Sequence, residues 1–363
     1  MDVVHVINNL PFGGAERFLL QLAPAQARLG CSVHVVTLVD RNPLATSLAD
    51  SVTYRCLGRE RLNDPRLAVD LTSLLRQLGP DVVHTHLFYA DFFGRTAARL
   101  ASVPRIVSTE HSTERGPLSG RRRAAMRWSA KFAHRIVAVS EAARRGAVER
   151  LALPESRFVV IPNGIDLAPW GTVEPLARDA LRLAPDAIVA GFVGRLVESK
   201  GIETLLRALA AVANPRLVLL LVGDGPERQR LQQVALQLQL GDRVRWLGYR
   251  HDVPSLLKSF DLFLLPSWWE GHAISLLEAM AAGCACVVSA IPELVDTLGD
   301  AGRHVRPGDA DALAASLREL SASASLRQEL GRRALQQVRR FSIESAASRY
   351  VSLYNELVVG AGS

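Results

Sequence analysis

Apolar residues fall along this chain in two alternating rhythms. Short β-branched runs predict strands over residues 3–7, 33–38, 82–86, 105–109 and 136–139. Between them, apolar positions recurring every three or four residues predict helices over 15–29, 67–78, 90–100 and 141–151. Strand-helix alternation at this pace argues for a parallel, doubly wound α/β sheet. The pattern then starts afresh, with strand-like runs at 188–193, 217–222, 244–247, 262–265 and 286–289 and helical stretches at 202–212 and 227–238. Two Rossmann-like domains are therefore expected, residues 1–167 and 168–340. Their seam lies in a turn-rich stretch holding Pro162, Pro169, Pro175 and Pro185. A separate amphipathic helix over 341–358, in a tail of residues 341–363, is expected to cross back to the first domain. Two such sheets would present their strand carboxyl ends to a shared central cleft, where ligands of this architecture bind.

Composition narrows the class. With 363 residues, 48% hydrophobic and 22% charged, the chain reads as globular and long enough for two cores. No apolar run reaches the roughly 18–20 residues a membrane-spanning helix needs. Asp2 stands where a secretion signal would carry basic charge, so a cytoplasmic protein is expected. Cys31, Cys56, Cys284 and Cys286 lack the spacing of a disulfide framework or a zinc site, and Cys284 and Cys286 fall in a run that reads as a buried strand. The net charge of +7 points to an acidic partner. Arg115, Arg121, Arg122, Arg123, Arg127 and Lys131 form a basic segment with Met126, Trp128 and Phe132 interleaved. This suits either an amphipathic helix at an anionic membrane or a plain solvated face. No recognised nucleic-acid module accompanies the charge, so no nucleic-acid partner is expected.

Candidate chemistry gathers just after strands. Gly13-Gly14-Ala15-Glu16 follows the first strand and opens a helix, where a bare backbone and amide donors suit a phosphate. Arg195 and Lys200 lie in the loop after the strand at 188–193, a fork and a point charge fit for a diphosphate. Glu270 and Glu278 bracket the next such loop. Glu278, expected in a first helical turn, could accept the two hydroxyls of a ribose, and the amides near His272, Ala273 and Ile274 could face a phosphate or sugar. A capping box from Ser275 to Glu278 is the competing explanation of Glu278, though not of Glu270. His111, in Ser108-Thr109-Glu110-His111-Ser112, lies at the end of the strand at 105–109. His84 and His86 share one face of an earlier strand, with His86 a candidate for an acceptor pocket. With Asp81 they invite a metal reading, but alternation alone explains their common side, and no metal is expected. Neither half carries G-x-G-x-x-G with an acid about twenty residues on, which argues against a dehydrogenase.

These residues resemble the large family of retaining GT-B glycosyltransferases (group 1, family 4), whose hallmark E-x7-E matches Glu270 and Glu278. The likeness runs nearly the whole length. It takes in Gly13-Gly14-Ala15-Glu16, Asp81-Val82-Val83-His84-Thr85-His86, Val137-Ala138-Val139-Ser140-Glu141 and Pro162-Asn163-Gly164-Ile165-Asp166. It continues through Gly194-Arg195 with Lys200-Gly201, Val222-Gly223-Asp224-Gly225-Pro226 and the Glu270 block. The resemblance implies that Gly14, Arg195 and Lys200 hold the donor diphosphate and Glu278 the ribose. It further implies that Glu270 and His111 meet the transferred sugar, and that the stretch with Tyr249 and Arg250 reads the base through its backbone. The tail helix would be the family's crossover helix. Two departures stand out. His272, Ala273 and Ser275 replace the frequent Phe, Gly and Pro of the Glu270 block, which bears on sugar preference. The segment 288–293 is shorter than usual.

The implied reaction transfers a hexosyl or N-acetylhexosaminyl group from a nucleotide-diphospho-sugar, a substrate rather than a cofactor, to a lipid-linked or polysaccharide acceptor. Charge builds on the leaving diphosphate, which Arg195, Lys200 and helix N-termini would stabilise without a metal. No cofactor is expected. Domain closure would exclude water. A UDP-sugar is the default donor and GDP-mannose the alternative. Work on cell-envelope polysaccharide or lipopolysaccharide would put the enzyme in the cytoplasm, peripheral at the inner membrane face if the basic segment binds lipid. Two other readings remain: a sugar-nucleotide epimerase or hydrolase on the same frame, and a non-catalytic nucleotide-sugar-binding subunit.

Overall fold

A computed structural model describes residues 1–11, 13–111 and 119–360. The chain divides into two compact units, one formed by Met1–Asp166 with Phe341–Ser363 and the other by Leu167–Arg340.

The first unit contains strands β1 (Asp2–Ile7), β2 (Ser32–Val39), β3 (Val52–Arg59), β4 (Val82–His86), β5 (Arg105–Glu110), β6 (Arg135–Ala138) and β7 (Phe158–Val160). Between them run helices α1 (Gly14–Arg28), α2 (Arg66–Leu78), α3 (Phe88–Leu100), α4 (Gly120–Ala130) and α5 (Glu141–Leu151). The strands pair in parallel in the order β3-β2-β1-β4-β5-β6-β7. The second unit has β8 (Ile188–Val193), β9 (Leu217–Val222), β10 (Val244–Gly248), β11 (Leu262–Leu265), β12 (Ala285–Ser289) and β13 (Gly302–Val305). Its helices are α6 (Ile202–Ala210), α7 (Arg228–Gln237), α8 (Val253–Lys258), α9 (Ile274–Ala282), α10 (Pro292–Leu298), α11 (Ala310–Ala322) and α12 (Ala324–Gln337). This sheet is also parallel, in the order β10-β9-β8-β11-β12-β13.

Every residue of β4, β8, β9 and β12 is buried. Helices cover both faces of a parallel sheet, so its inner strands carry continuous apolar runs rather than alternating ones. In each unit the strand order turns at one point, between β1 and β4 in the first and between β8 and β11 in the second. Connections leaving the two strands go to opposite faces there, which opens a crevice at their carboxyl ends.

The chain leaves the first unit and returns to it side by side. Ile165 N donates to Phe341 O at 3.0 Å, and Ile343 N donates to Ile165 O at 2.9 Å. Helix α13 (Ile343–Val359), capped by Ser342 through Ser345 N, then lies on α1 and buries Tyr350 and Tyr354 completely. The helix begins two residues after the start of the stretch expected from sequence, because Phe341 closes a 3-10 turn instead. In the basic segment, α4 buries Met126 and leaves Trp128 about half exposed, with Arg121, Arg122, Arg123, Arg127 and Lys131 exposed. Arg115 lies outside the described residues.

Candidate functional site

The second unit builds its polar cluster at the switch point. The loop after β8 carries Arg195, exposed, and closes with a 3-10 turn, Glu198–Lys200, ending on Gly201. Gly201 has φ +63°, and a Cβ there would stand 2.1 Å from the carbonyl oxygen of Pro266 just past β11. Glycine is therefore required twice, for its left-handed backbone and for the close approach. Trp268 N donates to Ser199 O at 2.8 Å and ties the two loops together. With the loops so joined, Lys200 Nζ donates to both carboxylate oxygens of Glu270, at 2.6 and 2.8 Å, and Ser267 Oγ donates to Oε1 at 2.7 Å. Glu270 is almost wholly buried while Lys200 keeps a fifth of its side chain in solvent.

Glu278 is also buried, but the expectation for it needs correcting. Helix α9 starts at Ile274 with Ala273 as its N-cap, so Glu278 is the fifth helical residue and falls in the second turn. The same start places Ser275 inside the helix, where it caps nothing, so the capping-box explanation of Glu278 fails as well. His272 and Ala273 are buried where the loop enters α9, as is Ile274, the helix's first residue. Burial lowers the His272 pKa to about 4, so its ring is neutral at ordinary pH. On the neighbouring strands, Gly223 N donates to Gly248 O at 2.7 Å, and Leu196 N donates to Asp224 O at 2.9 Å. Beyond Gly248, Tyr249 is exposed and Arg250 is clamped to Asp252 by two bonds of 2.8 and 2.6 Å. Lys200 and Glu270 thus meet directly, while Arg250 is engaged elsewhere.

In the first unit, Gly14 is the exposed first residue of α1, and Gly13 caps it. The carboxyl of Glu16 folds back over this end, with one oxygen only 2.0 Å from where a Cβ on Gly13 would stand. Burial raises the Glu16 pKa from 4.5 to about 7, against the lowering effect of a backbone hydrogen bond. His111, half-buried after β5, meets the edge of Phe18 from α1 with ring centroids 6.2 Å apart.

Behind His111 lies a histidine cluster only half legible in the sequence. Parallel register sets His5 beside His84 and Ile7 beside His86. His5, His84 and His86 bring ring nitrogens within 4.8 Å of one another and are the group of metal-ligating type among the described residues. Each of their six ring nitrogens is already engaged by a protein partner, so a metal would have to displace those bonds. Asp81 is not among them; it accepts from Asp2 N at the other end of β4. Sequence reasoning missed His5, Gln26, Tyr350, Tyr354 and Ser267. The available signal was a polar residue at a position the apolar pattern assigns to the core, which is the informative kind of exception.

The chain matches the family model described as glycosyl transferases group 1 over residues 173–337, and that of glycosyltransferase family 4 over residues 12–169. It is 32% identical over 274 residues to a UDP-Gal:alpha-D-GlcNAc-diphosphoundecaprenol alpha-1,3-galactosyltransferase of Escherichia coli, spanning 69% of this chain and 70% of that one. A phosphatidyl-myo-inositol mannosyltransferase of Mycolicibacterium smegmatis is 34% identical over 292 residues, spanning 78% and 72%. Among solved structures, Anabaena HepE in complex with UDP and glucose aligns over 98% of this chain and 100% of that one, with a TM-score of 0.84 at 21% identity.

Proposed function

The chain belongs to the glycosyl transferases of group 1 and has the GT-B fold, and from that premise we propose that it moves a hexosyl or N-acetylhexosaminyl group from a nucleotide-diphospho-sugar to a lipid-linked or polysaccharide acceptor, with retention at the anomeric carbon. The observation that carries the donor-site reading is the Lys200–Glu270 pair at the switch point of the second unit. A diphosphate arriving there takes up Lys200 and the nearby Arg195, and the leaving charge is stabilised by fixed cations and by backbone amides around Ala273 and Ile274. Glu270, released in part from Lys200, turns to the sugar, and Glu278 takes the ribose hydroxyls. His111 meets the sugar, Gly14 lies near the diphosphate, and the backbone at Tyr249 and Arg250 reads the base. In this scheme the leaving phosphate takes the acceptor proton, so no metal is called on.

UDP is the favoured base, since the E. coli relative is named for UDP-Gal and the Anabaena structure holds UDP. A GDP-sugar is the second reading, because the M. smegmatis relative is named a mannosyltransferase. Thermal shift against UDP, GDP, ADP and their sugars tests this for wild type and Arg195→Ala. Arg195 is exposed, so its loss leaves the core intact. A ligand at a hundred times its dissociation constant adds roughly 2.7 kcal/mol. One nucleotide should raise the melting temperature of wild type and fail with the variant; equal shifts in both would remove Arg195 from the site. Sugar release or isomerisation without any acceptor would favour the hydrolase or epimerase reading. Nucleotide binding with no turnover on any acceptor would favour a non-catalytic subunit.

The acceptor reading extends to α4. No helix among the described residues is long and apolar enough to cross a membrane. Arg121, Arg123 and Trp128 are exposed on one short helix, whereas Arg122 and Arg127 bond to Tyr89 Oη and the Arg150 carbonyl. We expect the protein to sediment with phosphatidylglycerol vesicles and not with phosphatidylcholine. Reversing Arg121 and Arg123 to Glu should weaken that binding by roughly tenfold or more. Unchanged sedimentation of the reversed variant would leave α4 as an ordinary solvated face.

A further inference from the structure

Helix α1 and strands β1, β4 and β5 enclose a continuous chain of hydrogen bonds that ends on His111. Gln26 Oε1 lies 2.7 Å from His5 Nε2, His5 Nδ1 lies 2.9 Å from His86 Nε2, and His86 Nδ1 lies 3.0 Å from His111 Nε2. Gln26, His5 and His86 are completely buried. A neutral imidazole has one N–H and one bare nitrogen, so in such a chain the direction of the first bond dictates all the others.

The first bond is set by Tyr354. Its hydroxyl is 2.5 Å from His84 Nδ1 and 3.2 Å from Gln26 Nε2. The short contact suits a donating hydroxyl, and the long one suits a neutral N–H donating to that oxygen. Gln26 therefore turns its amide NH2 to Tyr354 and its carbonyl to His5. His5 must donate through Nε2, which leaves its Nδ1 to accept from His86 Nε2. His86 Nδ1 must then accept from His111 Nε2. What remains is His111 Nδ1, a bare acceptor that is buried and has no hydrogen-bond partner among the described residues.

We propose that Gln26, His5 and His86 are positioning residues that fix His111 in its Nε2–H tautomer, so that Nδ1 accepts a hydrogen bond from a hydroxyl of the transferred sugar. This rests on the reading of His111 as a sugar contact. Burial supports it by keeping every ring neutral: the pKa values of His5 and His111 fall to about 4, and those of His84 and His86 fall well below the ordinary histidine value. A charged ring anywhere in the chain would donate through both nitrogens and break the sequence of directions. His84 stands on a side branch of the same network, taking the Tyr354 proton at Nδ1 and facing Thr109 Oγ1 at 2.7 Å through Nε2, so it too is expected as Nε2–H.

Long-range nitrogen–proton NMR spectra of the full chain labelled at histidine read tautomers without any substrate. The expected result is Nε2–H at His5, His84, His86 and His111 together, each assigned by its own single variant. Half a turn of the Gln26 amide would reverse every bond, and Nδ1–H at His111 would overturn the proposal. In Gln26→Leu the chain loses its anchor, and His111 should populate both tautomers while KM for the donor rises about tenfold, the worth of one hydrogen bond. A purely structural Gln26 would instead leave the His111 tautomer as in wild type, which also overturns it. Adding nucleotide-sugar to wild type tests the underlying reading separately. If His111 is Nε2–H and its Nδ1 resonance ignores the donor, the sugar contact fails while the fixed tautomer stands.

Discussion

Replacing Lys200 by alanine should lower turnover at saturating donor by about a hundred- to a thousand-fold, the usual consequence of removing one fixed donor from a site where charge develops. The same change should destabilise the fold. Glu270 is buried and would lose the cation that contacts both of its oxygens, while its bond from Ser267 Oγ stays. Breaking a buried ion pair on one side costs about 3 kcal/mol or more, with the partial exposure of Lys200 placing this case near the lower figure. The two effects separate in a double variant. Lys200→Met with Glu270→Gln removes both charges and should recover most of the stability, because no buried charge is left unpaired. It should recover none of the turnover. Denaturant titration and steady-state kinetics on the three variants make the comparison. A Lys200→Ala enzyme that is less stable yet turns over normally would reduce the pair to a structural clasp and remove the donor-site reading.

Glu16→Gln should stabilise the protein at pH 8 relative to wild type by about 3 kcal/mol more than it does at pH 4. The direction follows from the carboxyl's pKa, raised from 4.5 in the open chain to about 7 by burial. Below pH 4.5 both states hold the proton and Glu16 contributes no pH dependence. Between pH 4.5 and 7 the unfolded chain releases it and the folded chain does not, so wild-type stability declines as pH rises. Above 7 the folded state carries the full cost of a buried charge beside Gly13. The amide variant has nothing to ionise at this position, and its stability curve lacks that descending limb. Urea midpoints of both proteins across pH 4 to 8 read the difference, and parallel curves would mean that Glu16 is solvated and ordinary. If a diphosphate binds near Gly14, it should hold the Glu16 proton to still higher pH, since two anions there repel.

The inner strands of both sheets were legible in the sequence and the edges were mostly not. The runs expected over 3–7, 82–86, 188–193 and 217–222 match β1, β4, β8 and β9 within a residue. A strand covered on both faces must be apolar throughout. The strands that went unread, β3, β7 and β13, each lie at the edge of a sheet. Strand β3 buries only Val52 and carries Thr53, Arg55 and Arg59, while β7 has only three residues. Helices α10, α11 and α12 also went unread. Much of the face that α12 buries consists of Gly331 and Ala334 with Leu330, which makes a weak periodic signal.

Within the candidate site, Lys200 and Glu270 could be named because both follow strands, but their contact could not. The two residues are 70 positions apart, and their contact depends on β11 lying next to β8 and on Gly201 letting the two loops close. The start of α9 lies earlier than either reading of Glu278 requires. Ser275 and Glu278 have the spacing of a cap, yet the backbone enters the helix two residues earlier, at Ala273. The histidine chain was hidden for a different reason. Its members come from α1, β1, β4 and the end of β5, and only the parallel register stacks them on one side of the sheet.

The paired crossing at Ile165 and Ser342 has a consequence for the order of assembly. The second unit is one uninterrupted stretch, residues 167–340, and can close as soon as it has left the ribosome. The first unit is begun earlier and finished later, because Tyr350 and Tyr354 are translated after the whole second unit. At about 5–20 residues per second, the seven-stranded sheet waits on the order of ten seconds or more for the helix that seals it. During that interval the imidazoles of β1 and β4 lack the tyrosine hydroxyls that orient them, and the apolar face of α1 is open to other partners. A nascent chain stalled before residue 343 should therefore hold a finished second unit tethered to an unsealed first one, the species on which a chaperone would act.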